Sequence, residues 1–247
     1  MPERDEFFVG YLPTPPGMKR FAVAAAAALL LLAGSVAAGA SLLQRSPGET
    51  LRQKNQSITG VYEAAPYGHV RWLDEDGEPR HTLVVIKKKF GAQKYAALDG
   101  QVVTVKGLLM ERDGRQLMEL GAPPEATALP EGVAEALRAL APEPLGTVTV
   151  GGEIVDSKCY LGRMRPGSDR GHRACAQLCV SGGIPPVLVT RAPGGQGTHY
   201  LLAGPGGEPI NEAVLPFIAE PIRVTGELER WGDLLLLTVD PTTIERL

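Results

Sequence analysis

The hydrophobic pattern divides the chain into one long apolar segment and a longer region of short alternating stretches. Residues 21–43 carry no charge and follow directly after Lys19 and Arg20. An apolar helix of this length can cross about 30 Å of hydrocarbon. The segment therefore predicts a transmembrane anchor, with residues 1–20 as a cytoplasmic tail and the rest of the chain exported.

A cleaved signal peptide is the alternative interpretation of the same segment. Ala38-Gly39-Ala40 before Ser41 fits a signal-peptidase site. However, the polar and aromatic lead before the apolar segment is about 20 residues long, which exceeds an ordinary signal-peptide n-region. We therefore expect an uncleaved single-pass anchor in a bacterial inner membrane, with the C-terminal domains in the periplasm.

Two closing segments, residues 102–120 and 222–239, share one pattern of alternating apolar and polar positions. Each predicts a strand interrupted by a glycine, Gly107 or Gly226, then a tight turn and a second strand. A glycine inside a strand commonly marks a bulge or sharp bend, which lets a short sheet curl into a barrel. The predicted fold is mainly β, with two small OB-like β-barrels, and a single larger sandwich is its competitor.

The predicted organisation after the anchor has three parts. A segment rich in Ala, Pro and Glu separates the two similar halves, and residues 131–140 within it predict a short helix. The parts are a first OB-like domain at 55–121, a linker at 122–146, and a second OB-like domain at 147–247.

The internal repeat also predicts where the second half differs from the first. Matching residues 81–85 with 186–190 leaves about a dozen extra residues in the second half, between its first two strands. In OB-folds that connection borders the usual binding face. The extra residues therefore predict a functional insertion.

Composition excludes some classes of function. A net charge of −3, with no recurring basic face, gives no support for nucleic-acid binding. The chain also lacks C-x-x-C-H, C-x-x-C, H-E-x-x-H, P-loop and G-x-S-x-G motifs. An enzymatic activity is accordingly disfavoured.

The candidate chemistry lies within the insertion, which holds all 3 cysteines of the chain. Cys159, His172, Cys175 and Cys179 form a C-x12-H-x2-C-x3-C array. Thiolate and imidazole ligands suit zinc, copper or iron. The array predicts a metal or redox site.

Spacing constrains how these four residues could meet. Cys175 and Cys179 share one face of a helix, but His172 and Cys179 would lie about 10 Å apart along it. A four-ligand site therefore requires His172 in the turn before a helix that begins near Ala174. The remaining histidines, at positions 69, 81 and 199, have no ligand-like neighbours in the sequence and read as surface or core residues.

Two other roles remain open for the cysteines. In an oxidising compartment Cys159 could form a disulfide with Cys175 or Cys179. The bond would link the loop to its strand, stabilise the folded state by about 3 kcal/mol and leave one spare thiol. Such a chain would be a non-catalytic binding or assembly module. A thiol enzyme, with His172 activating Cys175 as nucleophile, is the further alternative.

Five cations surround the cysteines in the sequence. They could contact an anion or an acidic partner, or they could belong to a solvated loop with Asp156 and Asp169 as counterions. They are Lys158, Arg163, Arg165, Arg170 and Arg173.

The motif G-E-I-V-D-S-K-C-Y, with P-G, H-R-A-C-A-x-x-C and G-G-I-P-P, resembles that of an uncharacterised family of bacterial membrane-anchored proteins. An F-F-V-G-Y-L-P lead before the anchor belongs to the same resemblance. It implies a shared site on the three cysteines and His172, and it implies no substrate. We expect a membrane-anchored accessory or electron-transfer component of a membrane oxidoreductase.

Overall fold

The computed structural model describes residues 15–43, 50–191 and 197–247, which fall into an N-terminal helix and a β-rich unit. Helix α1 spans Pro16–Leu43 and is long and apolar enough to cross a membrane. It begins before the predicted span because proline is well suited to the first helical position. The F-F-V-G-Y-L-P lead lies outside the described residues.

The first half of the β-rich unit is a closed five-stranded barrel in the order β1-β2-β3-β5-β4-β1. Strands β3 and β5 are parallel, and the other neighbours are antiparallel. This is the strand order of an OB-fold, as predicted. The strands are β1 Thr50–Glu63, β2 His69–Leu73, β3 Pro79–Val85, β4 Val102–Arg112 and β5 Arg115–Leu120.

The second half repeats this topology. Its barrel closes in the order β7-β8-β9-β11-β10-β7, again with one parallel pair, β9 and β11. The prediction of two OB-like barrels is confirmed. The strands are β7 Glu143–Asp156, β8 Pro186–Arg191, β9 Gly197–Ala203, β10 Pro221–Trp231 and β11 Leu234–Val239.

The predicted interior glycines lie where two strands approach too closely for a side chain. A Cβ at Gly107 would lie 2.0 Å from the carbonyl oxygen of Glu119. A Cβ at Gly226 would lie 2.3 Å from the carbonyl oxygen of Thr238. Both contacts join the two strands of a closing hairpin, which explains why the pattern recurs in both halves.

Shorter elements complete the unit. The predicted linker helix is present as α2, and its Ala134 and Leu137 pack against Val61 of the first barrel. The short elements are β6 Glu125–Ala126, α2 Val133–Ala139, α3 Arg173–Ser181, α4 Asn211–Val214 and β12 Glu245–Arg246.

The middle of the predicted repeat was wrong. Residues 81–85 lie on β3, whereas 186–190 lie on β8, whose equivalent in the first barrel is β2. Both segments are apolar strands after a turn, so their patterns cannot distinguish a second strand from a third. The insertion does join the first two strands, but residues 157–185 replace a connection of only 64–68, so it is much longer than expected.

The turn of each closing hairpin contacts a histidine of the other barrel. The backbone N–H of His81 donates to Asp233 Oδ1 at 2.7 Å, and His199 Nε2 lies 3.2 Å from Asp113 Oδ2. Strand register places the two histidines at equivalent positions on β3 and β9. One apolar cluster draws on both barrels and includes Leu83, Leu117, Tyr160, Leu201 and Leu234. The barrels therefore share a continuous core.

Candidate functional site: a cysteine and histidine centre

The insertion folds onto the second barrel as two short turns and helix α3. A π-helical turn covers Cys159–Arg163, and a single 3₁₀ turn covers Arg170–His172. Helix α3 then begins at Arg173, so His172 precedes the helix as predicted. Ala176 and Val180 of α3 pack into the core of the second barrel, which fixes the adjacent cysteines of the helix.

The four predicted ligands fall into two overlapping groups. The ligand atoms of Cys159, His172 and Cys175 are all within 4.8 Å of one another, and those of Asp156, Cys159 and Cys179 form a second such group. Cys159 belongs to both groups. Two thiolates on a tetrahedral zinc ion stand about 3.7 Å apart. These groups could therefore hold an ion after small movements of their side chains.

Asp156 links the imidazole to the cysteine loop. This last residue of β7 is fully buried, and its Oδ1 accepts the backbone N–H of Cys159 at 2.8 Å. Its Oδ2 lies 3.0 Å from His172 Nε2. This contact occupies Nε2, so Nδ1 is left as the ring nitrogen available to a metal ion. Sequence reasoning placed Asp156 among surface counterions and missed this role.

Lys89 reaches the centre from the first barrel. Its Nζ donates to Cys175 Sγ at 3.1 Å and lies 3.7 Å from Cys179 Sγ. The contact with Cys175 is the largest cause that raises the pKa of Lys89. Lys89 lies in the connection after β3, whereas the insertion follows β7. The two are far apart in the sequence, so no local pattern connects Lys89 with the cysteines.

A hydrogen bond between Cys159 and Cys179 shifts the pKa values of the two thiols in opposite directions. A hydrogen bond from the Cys159 thiol, helped by the charge of Lys89, lowers the pKa of Cys179 to about 7 despite burial and the Asp156 carboxylate. The same hydrogen bond, together with burial and Asp156, raises the pKa of Cys159. Cys179 is thus the thiolate of the pair near neutral pH, and thiolate is the form that binds metals.

The predicted cations fasten the insertion to its surroundings. Lys158 is buried, donates to the carbonyl oxygens of Ile86 and Lys88 at 2.9 and 2.7 Å, and pairs with Glu119 at 2.7 Å. The four arginines also have protein partners. Arg163 pairs with Glu119, Arg165 donates to Thr50 Oγ1, and Arg170 and Arg173 both pair with Glu220.

A second group with metal-like spacing lies in the first barrel but already contains a cation. Glu63, His69 and His81 have ligand atoms within 4.8 Å of one another. The buried guanidinium of Arg71 pairs with Glu63 at 2.7 Å and donates to His81 Nε2 at 3.1 Å. Arg71 also donates to the Leu137 carbonyl at 2.6 Å. A metal ion would bring a second positive charge beside this one, so we interpret the group as a structural network.

The three histidines outside the insertion are buried, and each lies beside a carboxylate. His69 has the Glu63 carboxylate at 2.8 Å, His81 contacts Asp233, and His199 contacts Asp113. Sequence spacing gave no sign of these partners, because they come from other strands or from the other barrel.

Comparisons with known proteins leave the site to be interpreted from its own chemistry. No protein-family model matches the chain, and no curated protein matches it. The motif resemblance described above stays a prediction.

Proposed function

We propose that this protein is a membrane-anchored metalloprotein whose centre is formed by Cys159, His172, Cys175 and Cys179. The observation that carries the proposal is the convergence of three sulfur atoms and an imidazole ring whose other nitrogen is held by buried Asp156. A carboxylate behind a metal-bound histidine is a recurring arrangement that fixes the ring and increases its basicity.

The donor set selects the class of metal. Thiolates and imidazole favour zinc, copper or iron, whereas magnesium and calcium prefer oxygen ligands. Zinc in a closed site of four protein ligands would be structural. Iron or copper would in addition allow the centre to carry an electron, which is the role we assign to it as an accessory or electron-transfer component of a membrane oxidoreductase.

The N-terminal helix gives this centre its proposed location. Lys19 and Arg20 stand at the N-terminal end of α1 and favour a cytoplasmic N-terminus. Both barrels would then lie on the periplasmic side of a bacterial inner membrane, where the centre can meet exported or membrane-bound redox proteins.

The test is elemental analysis of the full chain, purified in detergent without chelators and without oxygen. Near-stoichiometric zinc, copper or iron, with all three cysteines alkylated after denaturation, supports the proposal. Cys159→Ser and His172→Gln are expected to lose the metal. Met164→Leu is the matched control, because Met164 lies in the same loop but is 47% exposed. A metal-free protein would refute the proposal.

A disulfide is the second candidate, because the sulfur atom of Cys159 lies within 4.8 Å of those of Cys175 and Cys179. Either bond would link the start of the insertion to α3 and leave one spare thiol, as expected of a non-catalytic binding or assembly module. The same alkylation experiment distinguishes the two candidates, because a disulfide leaves one alkylatable cysteine in a metal-free chain.

A further inference from the structure

We propose that Lys89 is a fifth residue of the centre, a counter-ion from the first barrel that neutralises the thiolates of Cys175 and Cys179 and strengthens metal binding. The inference rests on the proposed function, and it adds a positioning residue that the cysteine motif does not contain. Its basis is the pair of distances from Lys89 Nζ, 3.1 Å to one sulfur and 3.7 Å to the other.

The backbone around Lys89 is held in place by the insertion itself. Lys158, the neighbour of Cys159, donates to the carbonyl oxygens of Ile86 and Lys88, both just N-terminal to Lys89. The backbone N–H of Gly91 donates to the Gly182 carbonyl at 3.1 Å. These bonds clamp residues 86–91 between the start of the insertion and the end of α3.

Gly182 allows the closest part of this approach. A Cβ at position 182 would lie 1.8 Å from the carbonyl oxygen of Lys89, so any other residue would push the stretch away from α3. The contact involves backbone and therefore cannot be relieved by rotating a side chain. The position of the Lys89 backbone is thus set by the packing of the two barrels, and from there the side chain reaches both sulfur atoms.

The charge balance of the centre explains why a cation is useful here. Three thiolates around a divalent ion leave one net negative charge, and a nearby ammonium offsets it more strongly in a partly buried site than in water. A hydrogen bond to a thiolate also reduces its electron density. Lys89 would therefore both stabilise the loaded centre and tune the bonds from its two sulfurs to the metal.

Neighbouring lysines do not share this placement. Lys87 and Lys88 are exposed, and their side chains form no hydrogen bond or ion pair among residues 15–43, 50–191 and 197–247. Lys87 consequently provides a matched control on the same stretch of chain with the same charge.

The first experiment measures zinc affinity by competition with a chromophoric chelator, using the full chain in detergent. We expect Lys89→Met to bind zinc about tenfold more weakly, since outer-sphere partners commonly contribute tenfold or more. Lys89→Arg should restore affinity to within about threefold, because it keeps a charged donor. Lys87→Met should bind like the wild type.

A spectroscopic measurement separates tuning of the centre from a loss of structure. With cobalt in place of zinc, the thiolate-to-cobalt charge-transfer band of Lys89→Met should shift relative to wild type, whereas that of Lys87→Met should not. Equal zinc affinity and an unshifted band in Lys89→Met would overturn the inference.

A metal-free measurement keeps this inference separable from the proposed function. Acetic anhydride labelling followed by mass spectrometry should modify Lys89 more slowly than Lys87, and Cys175→Ala should accelerate labelling of Lys89 alone. Equal labelling of the two lysines would overturn the pairing. If the chain binds no zinc, the proposed metal centre and the effect of Lys89 on zinc affinity are both refuted. If Cys175 nevertheless slows the acetylation of Lys89 in that chain, the pairing of Lys89 with the thiolate is retained.

Discussion

Protonation of His199 is expected to weaken the folded state in acid. The ring is 5% exposed, and its Nε2 lies 3.2 Å from Asp113 of the other barrel. Burial lowers the pKa of His199 to about 4, and Arg115 and Arg112 act in the same direction, while Asp113 opposes them only in part. The native state therefore keeps this histidine neutral at pH values where an unfolded chain protonates it.

The size of the effect follows from the difference in pKa. An unfolded histidine titrates near 6.5, and each unit of difference is worth about 1.4 kcal/mol. The stabilisation is fully present above pH 6.5 and is lost as the pH falls towards 4. A native pKa of about 4 for His199 thus corresponds to about 3 kcal/mol of unfolding free energy. Burial also lowers the pKa of His81, which adds to the loss in the same direction.

The assay is urea unfolding of the full chain in detergent at several pH values between 7 and 4. Wild type should lose about 3 kcal/mol more than His199→Gln over this range, because glutamine does not titrate but can still donate to Asp113. Thr198→Ala, on the exposed neighbour, should keep the wild-type slope. Identical slopes for wild type and His199→Gln would refute the reasoning.

Three further predictions concern the contacts that hold the barrels and the centre. Arg71→Met should lower the unfolding free energy by about 3–5 kcal/mol in urea titrations, since it leaves buried acceptors unpaired; Lys106→Met, which breaks an exposed ion pair, should cost less than about 1 kcal/mol. Gly182→Ala should weaken zinc binding in the chelator assay because its Cβ displaces the Lys89 backbone, and an unchanged affinity would contradict that packing. Asp156→Asn should reduce zinc affinity by about 10–100-fold while the far-ultraviolet circular dichroism spectrum stays native, and full affinity would show that the carboxylate does not position His172.

The barrels could be predicted because the sequence patterns that specify their hairpins lie within short segments of the chain. Gly107 and Gly226 each stand at a fixed place within a hairpin, and alternation on either side reports which positions face the core. The apolar N-terminal helix could be predicted for the same reason, since an uncharged stretch is recognised without knowledge of its neighbours. His172 could be placed before α3 because helix geometry alone forbids it from reaching Cys179 along the helix.

The rest of the site depends on contacts between distant parts of the chain. Lys89 lies in the first barrel, and only the docking of the two barrels brings it to Cys175. Asp156 appeared as one more charge in a polar loop, because burial of a single carboxylate leaves no periodic pattern. The middle of the repeat failed for a related reason, since two apolar strands after a turn look alike until their neighbours in the sheet are known.

X-ray absorption at the metal edge of the purified full chain tests the central claim most directly. A centre on Cys159, His172, Cys175 and Cys179 predicts three sulfur neighbours at about 2.3 Å and one nitrogen neighbour at about 2.0 Å for zinc. His172→Gln should remove the nitrogen contribution. A chain without metal, or a coordination shell made only of oxygen and nitrogen, would contradict the account.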